Sequence, residues 1–439
     1  MIVMKFGGTS IGSSDQIKKT VNIIKSKLSE DPIIVLSAVG GVTDLLLKSF
    51  SLAINKGVID YSEVKEKHLL ILKDLKLPLN LLDNEFLDFE KNLDILKNIK
   101  KDNLEILDNL LSFGEKCSVK ILSSYLTLFG IKSRYYYSYD LGMLTNSNFG
   151  SAEILSETYE LLEKSISLLN KNYLSVITGY IGQNKEGKIT TLGRGGSDYS
   201  ASIIAAAINA KRIEIWTDVD GVMTTNPKIV KNAKKISEIS FEEASELATF
   251  GGKILHPKTI LPAINKNIPV CVLNSFNPEY KGTIVTKNNN KKELTAISYK
   301  QNVSLIKIKS TRMLYAHGFL MRLFKVFDDN NISIDLISTS EVSVSLTFND
   351  FNNLNEVISK ISEFGKVDLF ENKSIISIIG QKLKYESGFV SKITGILAKE
   401  QVNIDMISYG ASEINICFVV DDADLEKAVL VLHKELFEI

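Results

Sequence analysis

The sequence predicts an α/β protein: a mostly parallel sheet sandwiched by helices, followed by two ferredoxin-like βαββαβ modules. Three observations carry that expectation. Over the first two-thirds of the 439 residues, short β-branched runs alternate with amphipathic helical stretches, the pattern of a parallel sheet covered on both faces. Near Asn288–Lys292 the chain turns sharply polar. Beyond that point a different grammar appears twice. The copies align locally, Asn331-Ile332-Ser333-Ile334-Asp335-Leu336-Ile337-Ser338 against Val402-Asn403-Ile404-Asp405-Met406-Ile407-Ser408, as in an internal repeat of about 65 to 75 residues.

In the first part, strands are expected at Ile2–Phe6, Ile33–Leu36, Ser133–Tyr137, Ser175–Thr178, Ile213–Thr217 and Val270–Leu273, runs rich in β-branched and aromatic residues. Residues 45–130 read mainly as helix, an insertion large enough to form a lobe over a ligand cleft. The first repeat reads as strand Val303–Lys309, helix Gly318–Asp329, strands Ile332–Ile337 and Glu341–Phe348, and helix Leu354–Phe364. The second reads as strand Ser374–Ile379, helix Gly388–Glu400, strands Val402–Ser408 and Glu413–Val420, and helix Ala423–Leu436. This copy stops at its helix, so it either lacks a last strand or takes one from residues 296–309. The expected domains are therefore 1–290, 300–371 and 372–439.

Composition removes several classes of function. Hydrophobic content of 44% with 24% charge is that of a globular protein. A formal net charge of zero offers no electrostatic footprint for nucleic acid or an anionic membrane. No apolar run is long enough to cross a bilayer, and the chain enters a strand within two residues rather than a signal-peptide core. Cys117, Cys271 and Cys417 are scattered and not in metal-ligand spacing, so neither a disulfide framework nor a zinc site is expected. The expected compartment is the cytoplasm.

The chemistry concentrates where strands end. Gly193-Arg194-Gly195-Gly196-Ser197-Asp198-Tyr199-Ser200 runs straight into the small-residue stretch Ala201–Ala207. Glycines let backbone approach a ligand closely, and the helix start offers free N–H groups to an anion. Arg194 is one of only a few arginines, with Arg134, Arg212, Arg312 and Arg322, and its planar fork suits a carboxylate or phosphate. Lys5-Phe6-Gly7-Gly8-Thr9-Ser10 closes the first strand with a backbone nest and a cation. It is not a Walker A loop, and no GxGxxG follows a strand, so the P-loop and dinucleotide readings fall away.

Four further segments join these. Ser37-Ala38-Val39-Gly40-Gly41-Val42-Thr43-Asp44 supplies small residues and hydroxyls. Ser112-Phe113-Gly114-Glu115-Lys116 sets a carboxylate beside a glycine, with an exposed salt bridge as the alternative. Thr217-Asp218-Val219-Asp220-Gly221 follows Trp216, and Phe250-Gly251-Gly252-Lys253-Ile254-Leu255-His256-Pro257 carries a second glycine-flanked lysine. His256, ahead of a proline, reads as structural. Two lysines suit a polyphosphate; one Arg with one Glu suits the carboxylate and ammonium of an amino acid. An Asp in the central loop suits orienting the lysines or a metal-bound water. That set serves phosphoryl transfer, which needs positioning and charge neutralisation. No Ser–His–Asp or Cys–His set appears at suggestive spacing.

Lys5–Ser10, Arg194–Ser200, Trp216–Asp218 and Thr249–Pro257 resemble the motifs of aspartate kinases in the amino-acid-kinase superfamily, and the resemblance runs over essentially the whole chain. It implies an amino-acid-kinase domain followed by two ACT modules, with no fused homoserine dehydrogenase. The implied activity is ATP-dependent phosphorylation of the β-carboxylate of L-aspartate, the first step toward the aspartate-family amino acids. By motif, Lys5 and Lys253 flank the transferring phosphoryl group, and Asp198 holds lysine side chains in place. Arg194 grips the α-carboxylate of aspartate and Glu115 its ammonium, with Ser37, Thr43 and Ser197 completing the pocket. ATP is expected along Lys5, Gly7, Gly8, Thr9, Thr217, Asp218, Met223, Lys228, Lys253 and Ile254, with Mg²⁺ on its phosphates and few direct protein ligands. Two departures stand out. Relatives commonly read Tyr-Thr-Thr-Asp-Pro-Arg where this chain has Met223-Thr224-Thr225-Asn226-Pro227-Lys228, so an aromatic and a bidentate arginine are both replaced.

The stretch His317-Gly318-Phe319-Leu320, with Ser333–Ser343 after it, resembles the lysine-sensitive class. The implied L-lysine site comprises Met313, His317, Gly318, Phe319, Leu320, Ser333, Asp335, Ser340 and Glu341. Inhibition then requires lysine to bind an inactive arrangement better than the active one. Pairing of ACT modules between copies implies a symmetric dimer or dimer of dimers. The rival readings are a glutamate-kinase-type enzyme and a lysine sensor without turnover.

Overall fold

The computed structural model describes residues 1–99, 101–251, 256–287, 294–314, 317–349, 354–381, 383–410 and 412–438. The chain divides into two compact units. The first comprises residues 1–222, 237–241 and 255–288; the second comprises 223–236, 242–254 and 289–439. The polar stretch Asn288–Lys292 lies outside the described residues.

In the first unit the strands are β1 (Ile2–Phe6), β2 (Pro32–Leu36), β3 (Ser133–Tyr136), β4 (Leu174–Thr178), β5 (Ile181–Gln183), β6 (Ile189–Thr191), β7 (Ile213–Thr217), β8 (Glu238–Ser240), β9 (Val270–Asn274) and β10 (Thr283–Thr286). All but β5 and β6 form one eight-stranded sheet in the order β3-β4-β2-β1-β7-β9-β10-β8. Every pairing is parallel except the β9–β10 hairpin. Each residue of β1 and β2 is buried, which is why these strands read as near-continuous apolar runs, interrupted only by Lys5, rather than alternating ones. Covering the sheet are α1 (Ser14–Ser26), α2 (Val42–Lys56), α3 (Ser62–Asp74), α4 (Asp83–Ile99), α5 (Leu104–Leu128), α6 (Thr158–Ser167) and α7 (Gly196–Ala207); α8 (Phe241–Thr249) belongs, past its first residue, to the second unit, and α9 (Pro257–Asn265) returns to the first. The helical insertion is α2 to α5. It shares one core with the sheet, where Phe86, Phe89, Leu93 and Phe113 join Met4, Phe6 and Leu36.

The second unit carries β11 (Leu294–Lys309), α10 (Phe319–Asp329), β12 (Ile334–Thr339), β13 (Ser343–Asn349), α11 (Leu354–Ser362), β14 (Lys366–Gly380), α12 (Phe389–Lys399), β15 (Met406–Tyr409), β16 (Asn415–Asp421) and α13 (Leu425–Phe437). Its strands form one antiparallel sheet, β12-β13-β11-β14-β16-β15. The two βαββαβ modules interlock through the two long strands. Val303–Lys309 pairs with β13 and with the first half of β14, while Leu294–Lys300 pairs with the second half of β14. Leu294–Lys300 thus occupies the last-strand position of the second module. At the crossover both strands break register, and Asn302 and Asn372 take left-handed backbone with φ of 54° and 57°. Asparagine tolerates that conformation better than most residues.

β12 and β15 begin two to four residues later than the sequence suggests. Asn331 and Gln401 leave their helices at positive φ, so the next residues turn before they pair. Val402 is nevertheless buried, packed in the second module's core.

Candidate active site

In an open α/β sheet, ligands bind beyond the carboxyl ends of the strands where the order reverses. Here that point is β1, flanked by β2 and β7. Lys5 is its penultimate residue and is only 8% exposed. Its Nζ lies 2.6 Å from Oδ1 of Asp198. Asp198 sits in the first turn of α7, where the helix dipole favours a carboxylate. The turn begins at Gly195, which caps the helix at φ 72°, backbone that glycine adopts without strain.

The glycine loops fit one another backbone to backbone. Gly40 N donates to Gly8 O at 3.0 Å. A Cβ on Gly8 would lie 2.9 Å from Ala38 O, and one on Gly40 would lie 2.9 Å from Gly8 O. A Cβ on Gly179, just past β4, would meet Ser197 Cβ at 2.8 Å and Leu36 O at 2.9 Å. Ser197 and the end of β2, where Ser37 stands, are therefore neighbours. On the other side, the Ser10 hydroxyl reaches Trp216 O at 3.2 Å and Ser275 Oγ at 2.8 Å, tying the Lys5 loop to the ends of β7 and β9. Thr217 Oγ1 donates to Asp218 Oδ1 at 3.0 Å, and Asp218 is exposed.

Glu115 lies midway along α5 and is 4% exposed. Its Oε1 accepts from Ala38 N at 3.0 Å, so it faces the Ser37–Thr43 loop and is not part of an exposed salt bridge. Gly114 permits the approach, since a Cβ there would lie 2.6 Å from Ala38 Cβ. Burial pushes the Glu115 carboxyl up to about 8, against the opposing pull of the Ala38 amide and the Lys5 charge. Arg194 is exposed, as are Thr9 and Thr43. Burial lowers the pKa of His256, and the charges of Arg194 and Lys258 add to the effect. His256 is the residue before α9, and its carbonyl accepts from Thr259 Oγ1 at 2.7 Å, a structural use. Lys253 and Ile254 lie outside the described residues.

The structure thus gathers Lys5, Gly7, Gly8, Glu115, Ser37, Ser197 and Asp198 at one end of the sheet: a buried cation, its carboxylate partner, a second buried carboxylate and close-packed glycine backbone. Sequence reading passed over Gly179 and Ser275; the only signal for them was their place just after a strand.

Met223 and Lys228 belong to the second unit. Met223 is half-buried and bridges to Lys235, while Lys228 is exposed and donates its backbone N–H to Asn226 Oδ1 at 3.0 Å. Among the residues of the implied lysine site, Phe319 is buried in the first module's core, with Met313 and Leu320 packed against it. Gly318 caps α10 at φ 72°. His317, Ser333 and Glu341 are exposed. Ser340 and Ser343 pair their hydroxyls at 2.7 Å. Both oxygens of Asp335 accept from Lys300 Nζ, at 2.7 and 2.8 Å.

Among known proteins, the amino acid kinase family model matches residues 1–274 and an ACT domain model matches residues 376–436. Lysine-sensitive aspartokinase 3 of Escherichia coli K12 is 36% identical, covering 100% of this chain and 99% of its own. Chloroplastic aspartokinase 1 of Arabidopsis thaliana is 38% identical, covering 99% of this chain and 80% of its own. The crystal structure of E. coli aspartokinase III with aspartate and ADP superposes with a TM-score of 0.85 at 35% identity, covering 100% of both chains. Full-length likeness of this kind, over a kinase sheet with its lysine–aspartate pair and two interlocked ACT modules, places the chain in the amino acid kinase family, among the aspartokinases.

Proposed function

We propose that this chain transfers the γ-phosphoryl group of ATP to the β-carboxylate of L-aspartate, giving 4-phospho-L-aspartate and ADP. The observation that carries the reading is the pairing of buried Lys5, at the end of the central strand, with half-buried Asp198, 2.6 Å apart. In phosphoryl transfer the protein's work is positioning and charge stabilisation. A β-carboxylate oxygen of aspartate bonds to the γ-phosphorus as the bond to the β–γ bridging oxygen breaks, and ADP leaves with that electron pair. Lys5, held by Asp198, neutralises charge on the transferring group, with Lys253 as the second cation. Gly8 and Thr9 bring backbone N–H groups to the phosphates, Gly7 allows the close approach while its own N–H donates to Trp216 O, and Thr217 and Asp218 lie along the nucleotide. Glu115 holds the substrate ammonium, Arg194 its α-carboxylate, and Ser37, Thr43 and Ser197 close the pocket.

Among the described residues no group of three His, Cys, Asp or Glu side chains is arranged to hold a metal. Mg²⁺ enters as a partner of the nucleotide's phosphates.

L-lysine is the proposed feedback inhibitor, acting at the first ACT module through Met313, His317–Leu320, Ser333, Asp335, Ser340 and Glu341. The E. coli relative's name, lysine-sensitive aspartokinase 3, supports that assignment. ACT pairing between copies gives a symmetric dimer or dimer of dimers. No helix among the described residues is long and apolar enough to cross a membrane, and all three cysteines are free, which favours the reducing cytoplasm. The test is a coupled ADP-release assay with Mg-ATP and L-aspartate or L-glutamate, with and without L-lysine. Turnover on aspartate alone, suppressed by lysine, is expected. Turnover on glutamate instead, or none on either while lysine still binds, refutes the assignment.

A further inference from the structure

Asp108 is fully buried in the second turn of α5. Its carboxylate accepts from Gly150 N at 3.0 and 2.9 Å, from Thr191 N at 2.8 Å and from Thr191 Oγ1 at 2.7 Å. No cation pairs with it among the described residues. Every donor comes from two chain segments, the turn at Gly150 and the end of β6; β6 also packs along α5, and Lys188 just ahead of it pairs with Glu105.

Those two segments are themselves joined. Ala152 N donates to Thr191 O at 2.8 Å, and a Cβ on Gly193 would lie 3.3 Å from Gly150 O. Thr191 is three residues before Arg194. Seven residues beyond Asp108, on the same helix, stands Glu115. Seven residues are two turns, so both carboxylates share one face of α5, about 10 Å apart along its axis. One end of the helix face thus holds the proposed ammonium-binding group, and the other anchors the loop that carries the proposed carboxylate-binding group.

We propose that Asp108 is a positioning residue for the amino-acid substrate, fixing the distance between Glu115 and Arg194. This rests on the reading of those two side chains as the substrate clamp. Arg194 is exposed and has no ion-pair partner among the described residues, so the backbone of its loop decides where the guanidinium stands. Gly7, Gly8 and Thr217 are placed by β1 and β7, which Asp108 does not touch, and Asp198, which holds Lys5, is fixed within α7 rather than in the loop. Loss of Asp108 therefore falls on amino-acid recognition and spares the nucleotide. Small displacements of a positioning group cost orders of magnitude in bimolecular efficiency.

The experiment is steady-state kinetics on the full chain, with aspartate and Mg-ATP varied in turn, for wild type, Asp108→Ala, Asp108→Asn, Thr191→Val and Arg194→Ala. Asp108→Ala is expected to raise KM for aspartate at least tenfold while KM for ATP stays within twofold. Asp108→Asn keeps an acceptor for the two amides, and the Thr191 hydroxyl can reverse to accept from the new amide, so KM for aspartate stays within about threefold. Thr191→Val removes one donor and is expected to raise KM for aspartate severalfold. It also decides the matter if Asp108→Ala does not fold. An unchanged KM for aspartate in folded Asp108→Ala or in Thr191→Val overturns the proposal, as does an equal rise for ATP. If Arg194→Ala itself leaves KM for aspartate unchanged, it is the clamp reading that fails.

Discussion

The carboxyl of Glu115 offers the sharpest test of the substrate site. Burial raises it to about 8 in the unliganded protein, yet it must be ionised to hold an ammonium group. At pH 7 a group titrating near 8 is ionised in roughly one molecule in eleven, and binding through the minor form is weakened by that fraction. The value of kcat/KM for aspartate, which reports the free enzyme, should therefore climb about tenfold per pH unit between pH 6 and 7.5 and level off above about 8.5. Glu115→Gln removes the titration, so its profile should be lower and flat over the same range. A coupled ADP-release assay at saturating ATP measures both. A flat wild-type profile, or a Gln variant that keeps the slope, would refute the assignment of the ammonium to Glu115.

The same shift has a consequence for stability, with a definite sign. Ordinarily a Glu titrates near 4.5, whereas in the folded chain Glu115 holds its proton up to about 8. Between those values the unfolded chain has lost a proton that the native one keeps, so native stability falls as pH rises. The slope is about 1.4 kcal/mol per pH unit, and the favourable contribution is complete only below about pH 4.5. Thermal unfolding of wild type against Glu115→Gln should show the Gln variant gaining on wild type from pH 5 to 8. Saturating aspartate should narrow the gap, because the substrate ammonium stabilises the ionised form.

Three further outcomes follow from the geometry. Lys5→Met and Asp198→Asn should each lower kcat by about 10²–10³, with a smaller change in KM for aspartate; near-normal turnover in either would remove that pair from the chemistry. Gly40→Ala places a methyl 2.9 Å from Gly8 O, a clash with backbone, and should destabilise by about 1–3 kcal/mol, whereas Gly395→Ala in α12 meets nothing within 4 Å and should stabilise by roughly 0.5–1 kcal/mol; melting curves that fail to separate the two would contradict the interlocked loops. Lys300→Met frees Asp335 from its internal ammonium and should lower the lysine concentration that halves turnover, while an unchanged value would mean that Lys300 and the effector do not compete for that carboxylate.

Strands buried on both faces were readable because they are rich in apolar, β-branched and aromatic residues: Ile2–Phe6, interrupted only by Lys5, and Ile213–Thr217, interrupted by Glu214, stand where the residues placed them. β5, β6, β8 and β10 were not. They are three or four residues long, too short to show a period. The site was legible as residue types, a lysine beside glycines and an aspartate in a helix's first turn, but not as pairings. Nothing in Phe113-Gly114-Glu115 says whether the carboxylate turns inward; that depends on Gly114 admitting Ala38. Nor does the sequence disclose that Lys300 closes on Asp335, because the two come together only when β11 and β12 join one sheet. Asp108 escaped notice for the same reason, its three donors lying some 40 and 80 residues downstream.

The segment 223–236 repays the same physical scrutiny. The resemblance assigns Met223 and Lys228 to the nucleotide, yet the segment is built into the ACT unit. Val230 is buried among Phe389, Leu425 and Leu432 of the second module's core. Thr224 Oγ1 lies 2.9 Å from Nε2 of His433 on α13, Ile297 N donates to Thr224 O at 2.7 Å, and Asn226 Nδ2 donates to the Tyr299 hydroxyl at 2.7 Å. Close-packed cores do not deform gradually; they change between discrete arrangements. A ligand that repacks this core therefore acts on the backbone that carries Met223 and Lys228, through contacts entirely within the one unit. Coupling of that kind requires only a difference in ligand affinity between two packings, and replacing a bidentate arginine by Lys228 leaves a single flexible charge at the end of that chain of contacts.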